Sequence, residues 1–324
     1  SLRLPMIRRE GAVPEKLPII FDPLKCTGCA LCVPGCPTFS IDVSSGKARP
    51  RGNLCLRCGH CQAICPAGAI SGALLAPFCT PFETFSPDPR WLPAGAFDLV
   101  ALVRLMASRR SIRRFTPKSV DPALLRDLVR IGITAPSATN CQSWTFTILP
   151  DSASVLALSH RTAAVYRRLC RQSGWWTLRT FLRLLGKPDL DNFYRGYRSF
   201  ILARLDEWGR GGCDPFFRGA SAAIIIGARS GGGAHSDDAH MAAQNIILAA
   251  HAMGLGTCLI GLSLVAFRHD SSVAAALDLP RNETVHSVIA IGYPDEHFLR
   301  LTGRAEPEIR VRKLSDIVDQ TKGP

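Results

Sequence analysis

The chain lacks any apolar run approaching the roughly 18 residues that span a bilayer, so no membrane span is predicted. Its opening, SLRLPMIRREGAVPEKLP, lacks the apolar stretch of a secretory signal. Acidic residues are scarce beside basic ones, 26 Asp and Glu against 39 Lys and Arg, a formal charge of +13. The arginines are dispersed, with no recognition motif or aromatic-interleaved basic stripe, so nucleic acid is not expected as a partner. A basic excess of this kind favours encounter with an acidic protein instead. A disulfide framework is missing too. Of 13 cysteines, Cys79, Cys141, Cys170, Cys213 and Cys258 form an odd, irregular remainder, which fits free thiols in a reducing cytoplasm.

The other eight cysteines are regular. Cys26, Cys29, Cys32 and Cys36-Pro37 read C-x2-C-x2-C-x3-C-P, and Cys55, Cys58, Cys61 and Cys65-Pro66 repeat the pattern 29 residues on. This is the bacterial ferredoxin run, in which the fourth Cys of each run ligates the other run's cluster. Cys26, Cys29, Cys32 and Cys65 are therefore expected at one [4Fe-4S] cluster, and Cys55, Cys58, Cys61 and Cys36 at a second. Three cysteines at this spacing curl a short loop around one cube, and the prolines stop that loop from continuing as helix. A pair of structural zinc sites is the alternative, since C-x2-C pairs also bind zinc.

Length and a hydrophobic content of 47% suit about two domains with a full core. We expect a two-cluster module over residues 1–75, opened by β-forming Leu17–Phe21. A linker follows over 76–97, marked by Pro77, Pro81, Pro87, Pro89 and Pro93. Residues 98–324 form the larger domain. Asp121-Pro122 predicts a capped helix start, with Leu124, Leu125, Leu128, Val129 and Ile131 as its apolar stripe. Strands are expected at Trp144–Ile148, Ala222–Gly227, Gly256–Ile260 and Val285–Ile291, and residues 152–210 read as mostly helical. Ser236 and Asp237 are the expected cap of a helix whose face of Ala239, Ala242, Ala243, Ile246, Ile247 and Ala250 permits close approach. Helices outnumber strands without alternating with them, so the fold class is α+β.

Arg109, Arg110, Ser111, Arg113 and Arg114 crowd four guanidinium groups and a hydroxyl into six residues. Such forks pair bidentately with phosphate. RRSIRRF, then Pro136-Ser137-Ala138-Thr139-Asn140-Cys141-Gln142, then Gly254-Leu255-Gly256-Thr257-Cys258-Leu259-Ile260-Gly261, then Ile291-Gly292-Tyr293-Pro294 occur in this order. In that order the chain resembles the FMN-dependent nitroreductase superfamily, in the branch where a two-cluster ferredoxin module precedes the flavin domain. Asp214-Pro215-Phe216-Phe217 also looks like that branch.

The resemblance implies that Arg109, Arg110, Ser111 and Arg113 contact the FMN phosphate and ribityl chain. It also implies that Pro136, Ser137, Ala138, Asn140 and Gln142 form the loop crossing to the partner subunit's flavin in a homodimer. Leu259, Ile260 and Gly261 match the segment whose backbone faces the flavin's reactive nitrogen. Arg310 and Arg312 match late basic residues on the phosphate or the pyrimidine edge, although the family usually has Pro where Lys313 stands. Ser143 departs from the Pro that often follows the Gln.

The expected function is an iron–sulfur flavoprotein oxidoreductase. It passes electrons from reduced ferredoxin or flavodoxin, through the clusters and FMN, to a small organic acceptor bearing a nitro, quinone, enone or related group. No catalytic nucleophile or general base is identifiable. The alternative is an electron carrier or redox sensor without substrate turnover.

Overall fold

The computed structural model describes residues 19–52, 54–72, 81–229 and 234–313. The expected strand residues Leu17 and Pro18, together with Pro77 and Cys79, lie outside them. The N-terminal module contains β1 (Ile20–Phe21), β2 (Ile41–Ser44), β3 (Lys47–Pro50), the one-turn helix α1 (His60–Ala63) and β4 (Ile70–Ser71). β1 pairs antiparallel with β4, and β2 with β3.

The duplication read in the cysteine spacing is also a duplication of backbone. Gly28 and Arg57, Ala30 and Gly59, Phe39 and Gly68 are each 29 residues apart, and every one has a positive φ between 54° and 75°. The N–H of Ser40 donates to Cys36 Sγ at 3.4 Å, and the N–H of Ala69 donates to Cys65 Sγ at 3.3 Å, again at the same offset.

The larger part runs α2 (Leu99–Ser108), α3 (Pro122–Gly132), β5 (Trp144–Leu149), α4 (Ser152–Gly174), α5 (Trp176–Leu184), α6 (Asp189–Gly196) and α7 (Arg198–Gly209). It continues with β6 (Ala222–Arg229), α8 (His235–Ala252), β7 (Gly256–Leu259), α9 (Gly261–His269), α10 (Ser271–Ala275) and β8 (Glu283–Gly292). Four strands make one antiparallel sheet in the order β5-β6-β8-β7.

The sheet is buried on both faces, and the period of two along β6 sorts its side chains. Ile224 and Ile226 face α3 and α8, while Ala223 and Ile225 face the layer that holds Tyr166 and Phe217. The small face of α8 is core: an added methyl at Gly132 of α3 would press on the Ile246 side chain. Asp121 caps α3 by accepting from the Ala123 N–H at 2.8 Å, with Pro122 in the first turn. The cap expected from Ser236 and Asp237 is absent. α8 begins at His235 after Ala234, and its first turn holds Asp237 and Asp238, whose charges favour the helix's positive end.

Residues 152–210 fold as four helices, and several of their arginines are engaged. Arg168 pairs with Asp270 at 3.0 Å, Arg195 with Asp191 at 2.9 Å, and Arg198 Nε donates to the Cys170 carbonyl at 3.0 Å. Trp175 and Trp176 are exposed, so neither fills the core. Asp214 is buried and accepts from the Phe216 and Phe217 N–H groups and from Ser159 Oγ, which fixes the turn into β6.

Candidate functional site

Each cysteine run closes around a separate cavity, and each cavity takes its fourth cysteine from the other run. One is lined by Cys26, Cys29, Cys32 and Cys65, the other by Cys36, Cys55, Cys58 and Cys61. Within the described residues the sulfurs ring these voids; no three His, Cys, Asp or Glu converge on a point where one metal ion would sit.

Backbone N–H groups turn inward on the sulfurs: Ala48 donates to Cys26 Sγ and Arg57 to Cys55 Sγ, both at 3.3 Å. Those of Ala48 and Gly28 lower the Cys26 thiol below its ordinary range. Burial opposes ionisation of Cys36, but the Thr38 hydroxyl and the Ser40, Thr38 and Phe39 amides outweigh it. Burial raises Cys32 and pushes Cys61 up to about 11. A donor set of four cysteines around a void, with amides already aimed at sulfur, fits an iron–sulfur cube.

The second assembly lies at the outer edge of β7. Ser111 forms a parallel bridge with Thr257, and the Ile112 N–H donates to the Thr257 carbonyl at 2.9 Å. The close seam explains Gly256, where an added Cβ would collide with Ile112. Beside it a cleft of about 310 Å³ is lined by Ser108, Arg109, Arg110, His251, Gly254 and Phe298, among others. Arg109 Nε is buried without a partner. Burial lowers the Arg109 pKa, and repulsion from Arg304 and Arg110 lowers it further. Arg109 and Arg110 line the cleft, with Glu296 also on its wall, and the orphaned Arg109 donor suits a phosphate.

Arg304, not anticipated from sequence, is exposed and outside the cleft's lining, and acts on Arg109 as a neighbouring positive charge. Arg310 and Arg312 do not line this cleft: both are exposed, and Arg310 Nε donates to Glu308 at 2.6 Å. Arg113 is also exposed, while its backbone N–H donates to Glu296 Oε2 at 3.1 Å. Leu259 is about half exposed at the end of β7, and Gly261 opens α9. Ile260 is buried and its N–H donates to the Val288 carbonyl at 2.8 Å.

The third segment, 136–142, lies elsewhere. It turns through Thr139, Asn140 and Gln142, all with φ near +50°. Asp238, buried in the first turn of α8, holds it by accepting from the Ala138 N–H at 2.9 Å and from Cys141 Sγ at 3.3 Å. The Gln142 N–H donates to Ser137 Oγ, and Gln142 Nε2 donates to Asn140 Oδ1. Asn140 Nδ2 in turn reaches the second cysteine run, donating to the Leu56 and Arg57 carbonyls. Pro136 enters the loop after α3. The structure thus brings Arg109, Arg110 and Ser111 to β7, and joins the loop of Pro136, Ser137, Ala138, Asn140 and Gln142 to the ferredoxin-like module through Asn140.

Residues 106–293 match the nitroreductase family, and residues 18–72 match the 4Fe-4S dicluster domain. The chain is 29% identical over 194 residues to an NADH dehydrogenase of Thermus thermophilus, covering 58% of this chain and 84% of that one. It is 29% identical over 220 residues to a 4-nitrobenzoate reductase of a Nocardioides species, covering 63% and 83%. The N-terminal part is 40% identical over 71 residues to an indolepyruvate oxidoreductase subunit of Pyrococcus horikoshii, covering 21% of this chain and 10% of that protein. With more than half of its length matched, this α+β chain belongs to the nitroreductase family and carries a 4Fe-4S dicluster domain ahead of the family domain.

Proposed function

We propose that the protein is an oxidoreductase in which two [4Fe-4S] clusters deliver electrons to FMN, and FMN reduces a small organic acceptor. The observation that carries this reading is the pair of cysteine-lined cavities, each completed by the opposite run. A ring of sulfurs around a void favours a multi-iron cube over the single-ion zinc site the spacing also allowed.

FMN is supported by the β7 cleft. Arg109 and Arg110 hold its phosphate with Arg304 as a neighbouring positive charge, Ser111 adds a hydroxyl, and the Leu259–Gly261 backbone meets the ring. Bound FMN supplies the exchange between single electrons and electron pairs. The chain's own residues bind and orient it, and Arg113, Arg310 and Arg312 add positive charge around the cleft rather than direct contacts. The acceptor class includes nitroaryl compounds, by likeness to the 4-nitrobenzoate reductase, and equally quinones and enones.

The donor is a small acidic one-electron carrier, reduced ferredoxin or flavodoxin, matched to the +13 chain. The working unit is a homodimer in a reducing, cytoplasmic setting. Its cluster module spans residues 1–75, its linker 76–97 and its FMN domain 98–324.

An anaerobic titration tests the reading. Reduced ferredoxin is expected to bleach both cluster and flavin absorbance, with NADPH alone leaving them unchanged. Protein purified with iron but with no flavin band, even after incubation with FMN, would overturn it.

A further inference from the structure

The internal duplication supplies its own control, because one loop occurs twice in different surroundings. Thr27, Cys29 and Ala30 of the first copy are exposed, while their equivalents 29 residues on, Leu56, Cys58 and Gly59, are half-buried. Part of that cover comes from Asn140, whose amide donates to the Leu56 carbonyl at 3.2 Å and to the Arg57 carbonyl at 2.9 Å. Gln142 Nε2 fixes the amide by donating to Asn140 Oδ1 at 2.9 Å. The Cys36, Cys55, Cys58 and Cys61 set is therefore the one tied to the larger domain. The Cys26, Cys29, Cys32 and Cys65 set keeps a cysteine at the solvent.

The surface around Cys29 combines an apolar centre with cations. Leu24 is 94% exposed and Leu31 47%, and the two flank Cys29 in sequence. Residues 19–52 carry Lys25, Lys47, Arg49 and Arg51 against two acids, Asp22 and Asp42. Asp22 is engaged, its Oδ1 accepting from the Leu24 and Lys25 N–H groups at 2.9 and 3.3 Å. Asp42 stands across from Arg49 in the β2–β3 register. Lys47 Nζ donates to the Cys26 carbonyl at 2.6 Å, and the N–H of Ala48 beside it donates to Cys26 Sγ. The turn before Lys47 packs on the same loop, where Gly28 has no room for a Cβ beside the Gly46 carbonyl. Arg49 is exposed and, two residues on, leaves the strand on the same face as Lys47.

Four thiolates around a cube leave a net negative charge, which repels an acidic protein approaching this loop. Lys25, Lys47 and Arg49 offset that charge where contact is made, and opposite fields raise the encounter rate. Electron-transfer encounters use small interfaces, so a patch of this size suffices. Electron tunnelling decays exponentially with distance, which favours entry through the set that reaches the surface.

We propose that the wire has a fixed direction: reduced ferredoxin docks its acidic face on Leu24, Lys25, Cys29, Leu31, Lys47 and Arg49 and delivers electrons to the Cys26, Cys29, Cys32 and Cys65 set, while the Cys36, Cys55, Cys58 and Cys61 set is the exit. The inference rests on the cluster-to-FMN reading above. Each docking event oxidises ferredoxin by one electron and reduces the first set by one. That electron passes to the second set, which returns the first to its starting state. Two such events, with one proton from solvent, leave the flavin fully reduced and both sets as they began.

Cysteine variants read the direction, with iron and FMN content measured in each. In Cys58→Ala the remaining cluster is expected to bleach with reduced ferredoxin at the wild-type rate while the flavin stays oxidised. In Cys29→Ala neither the remaining cluster nor the flavin bleaches at that rate. The opposite pattern overturns the proposal and leaves the cluster-to-FMN reading standing. Wild-type flavin bleaching in both variants overturns that reading as well.

Charge reversal removes no cysteine. Lys25→Glu/Arg49→Glu is expected to slow cluster bleaching by reduced ferredoxin at least about tenfold at low salt, and the gap closes at high salt. Arg183→Glu/Lys187→Glu makes the same change in net charge on exposed residues of the helical insert and stays near the wild-type rate. Dithionite, which needs no docking surface, reduces every variant alike. Carbodiimide coupling of ferredoxin carboxylates to the holoprotein is expected to mark Lys25 or Lys47. Coupling confined to Lys118, Lys187 or Lys313, or equal rates in the two reversals, overturns the docking surface.

Discussion

Thr84 engages one carboxylate oxygen of Asp127 twice, through its N–H and its Oγ1, both at 2.7 Å. The Glu83 N–H adds a third donor and Arg130 a fourth, so the segment before α2 is tied to a fully buried acid on α3. Burial opposes the charge on Asp127, but these donors outweigh it and hold its pKa below the ordinary value. Asp127→Ala is expected to cost about 3 kcal/mol in urea unfolding, in the range for stranding buried donors. The sign of the pH effect follows from the lowered pKa. The stabilisation is complete above the unfolded carboxyl's value of about 3.9 and is lost as pH falls through the lower folded value. Asp127→Asn removes that acid dependence.

Arg304 and Arg310 separate two views of the phosphate site. Arg304→Ala and Arg109→Ala are each expected to weaken FMN binding roughly 10- to 100-fold, as loss of a charge-assisted contact does. Arg310→Ala, whose side chain is engaged with Glu308, leaves affinity near wild type. Flavin fluorescence titration of apoprotein reads all three, and the contrast narrows at high salt.

Gly28 has no room for a side chain. Its φ is +73°, and an added Cβ would run into the Gly46 carbonyl in the turn between β2 and β3. Gly28→Ala is expected to lose about half of the protein's iron, one cluster of two. Arg57, at the equivalent place in the second repeat, already carries a side chain at positive φ, and Arg57→Ala keeps the iron.

Asp238→Ala releases the Ala138 N–H and the Cys141 thiol together. A buried donor left unsatisfied costs about 1–3 kcal/mol, so FMN affinity is expected to fall about tenfold or more with iron unchanged. Asp238→Asn restores part of it, because an amide oxygen still accepts from Ala138.

What was legible in the sequence was local. Asp121-Pro122 announces the start of α3 by chemistry confined to adjacent residues, and the four sheet strands stand out as short apolar runs between breakers. Ser236 and Asp237 misled for the same reason: cap-forming residue types were visible, but the backbone that places the helix start at His235 was not. The long-range partners were hidden. Nothing near Asn140 tells that its amide reaches carbonyls 83 and 84 residues earlier. Arg304 and Arg310 are alike in a tail without periodicity, and only the fold distinguishes them. Asp238 left one trace, an acid one turn before Ala242 on an otherwise small apolar face.

Helix α8 is a ruler. Asp238 near its start holds the 136–142 loop, and His251 near its end lines the Arg109 cleft. Its 18 residues measure about 27 Å, and so set how far apart those two ends lie. The outward residues Ser236, His240, Met241 and Gln244 are exposed and do not set this length; the residue count does. One residue inserted mid-helix would advance one end by about 1.5 Å and swing it by about 100°. The loop at one end and the cleft at the other would then lose their present spacing and relative orientation.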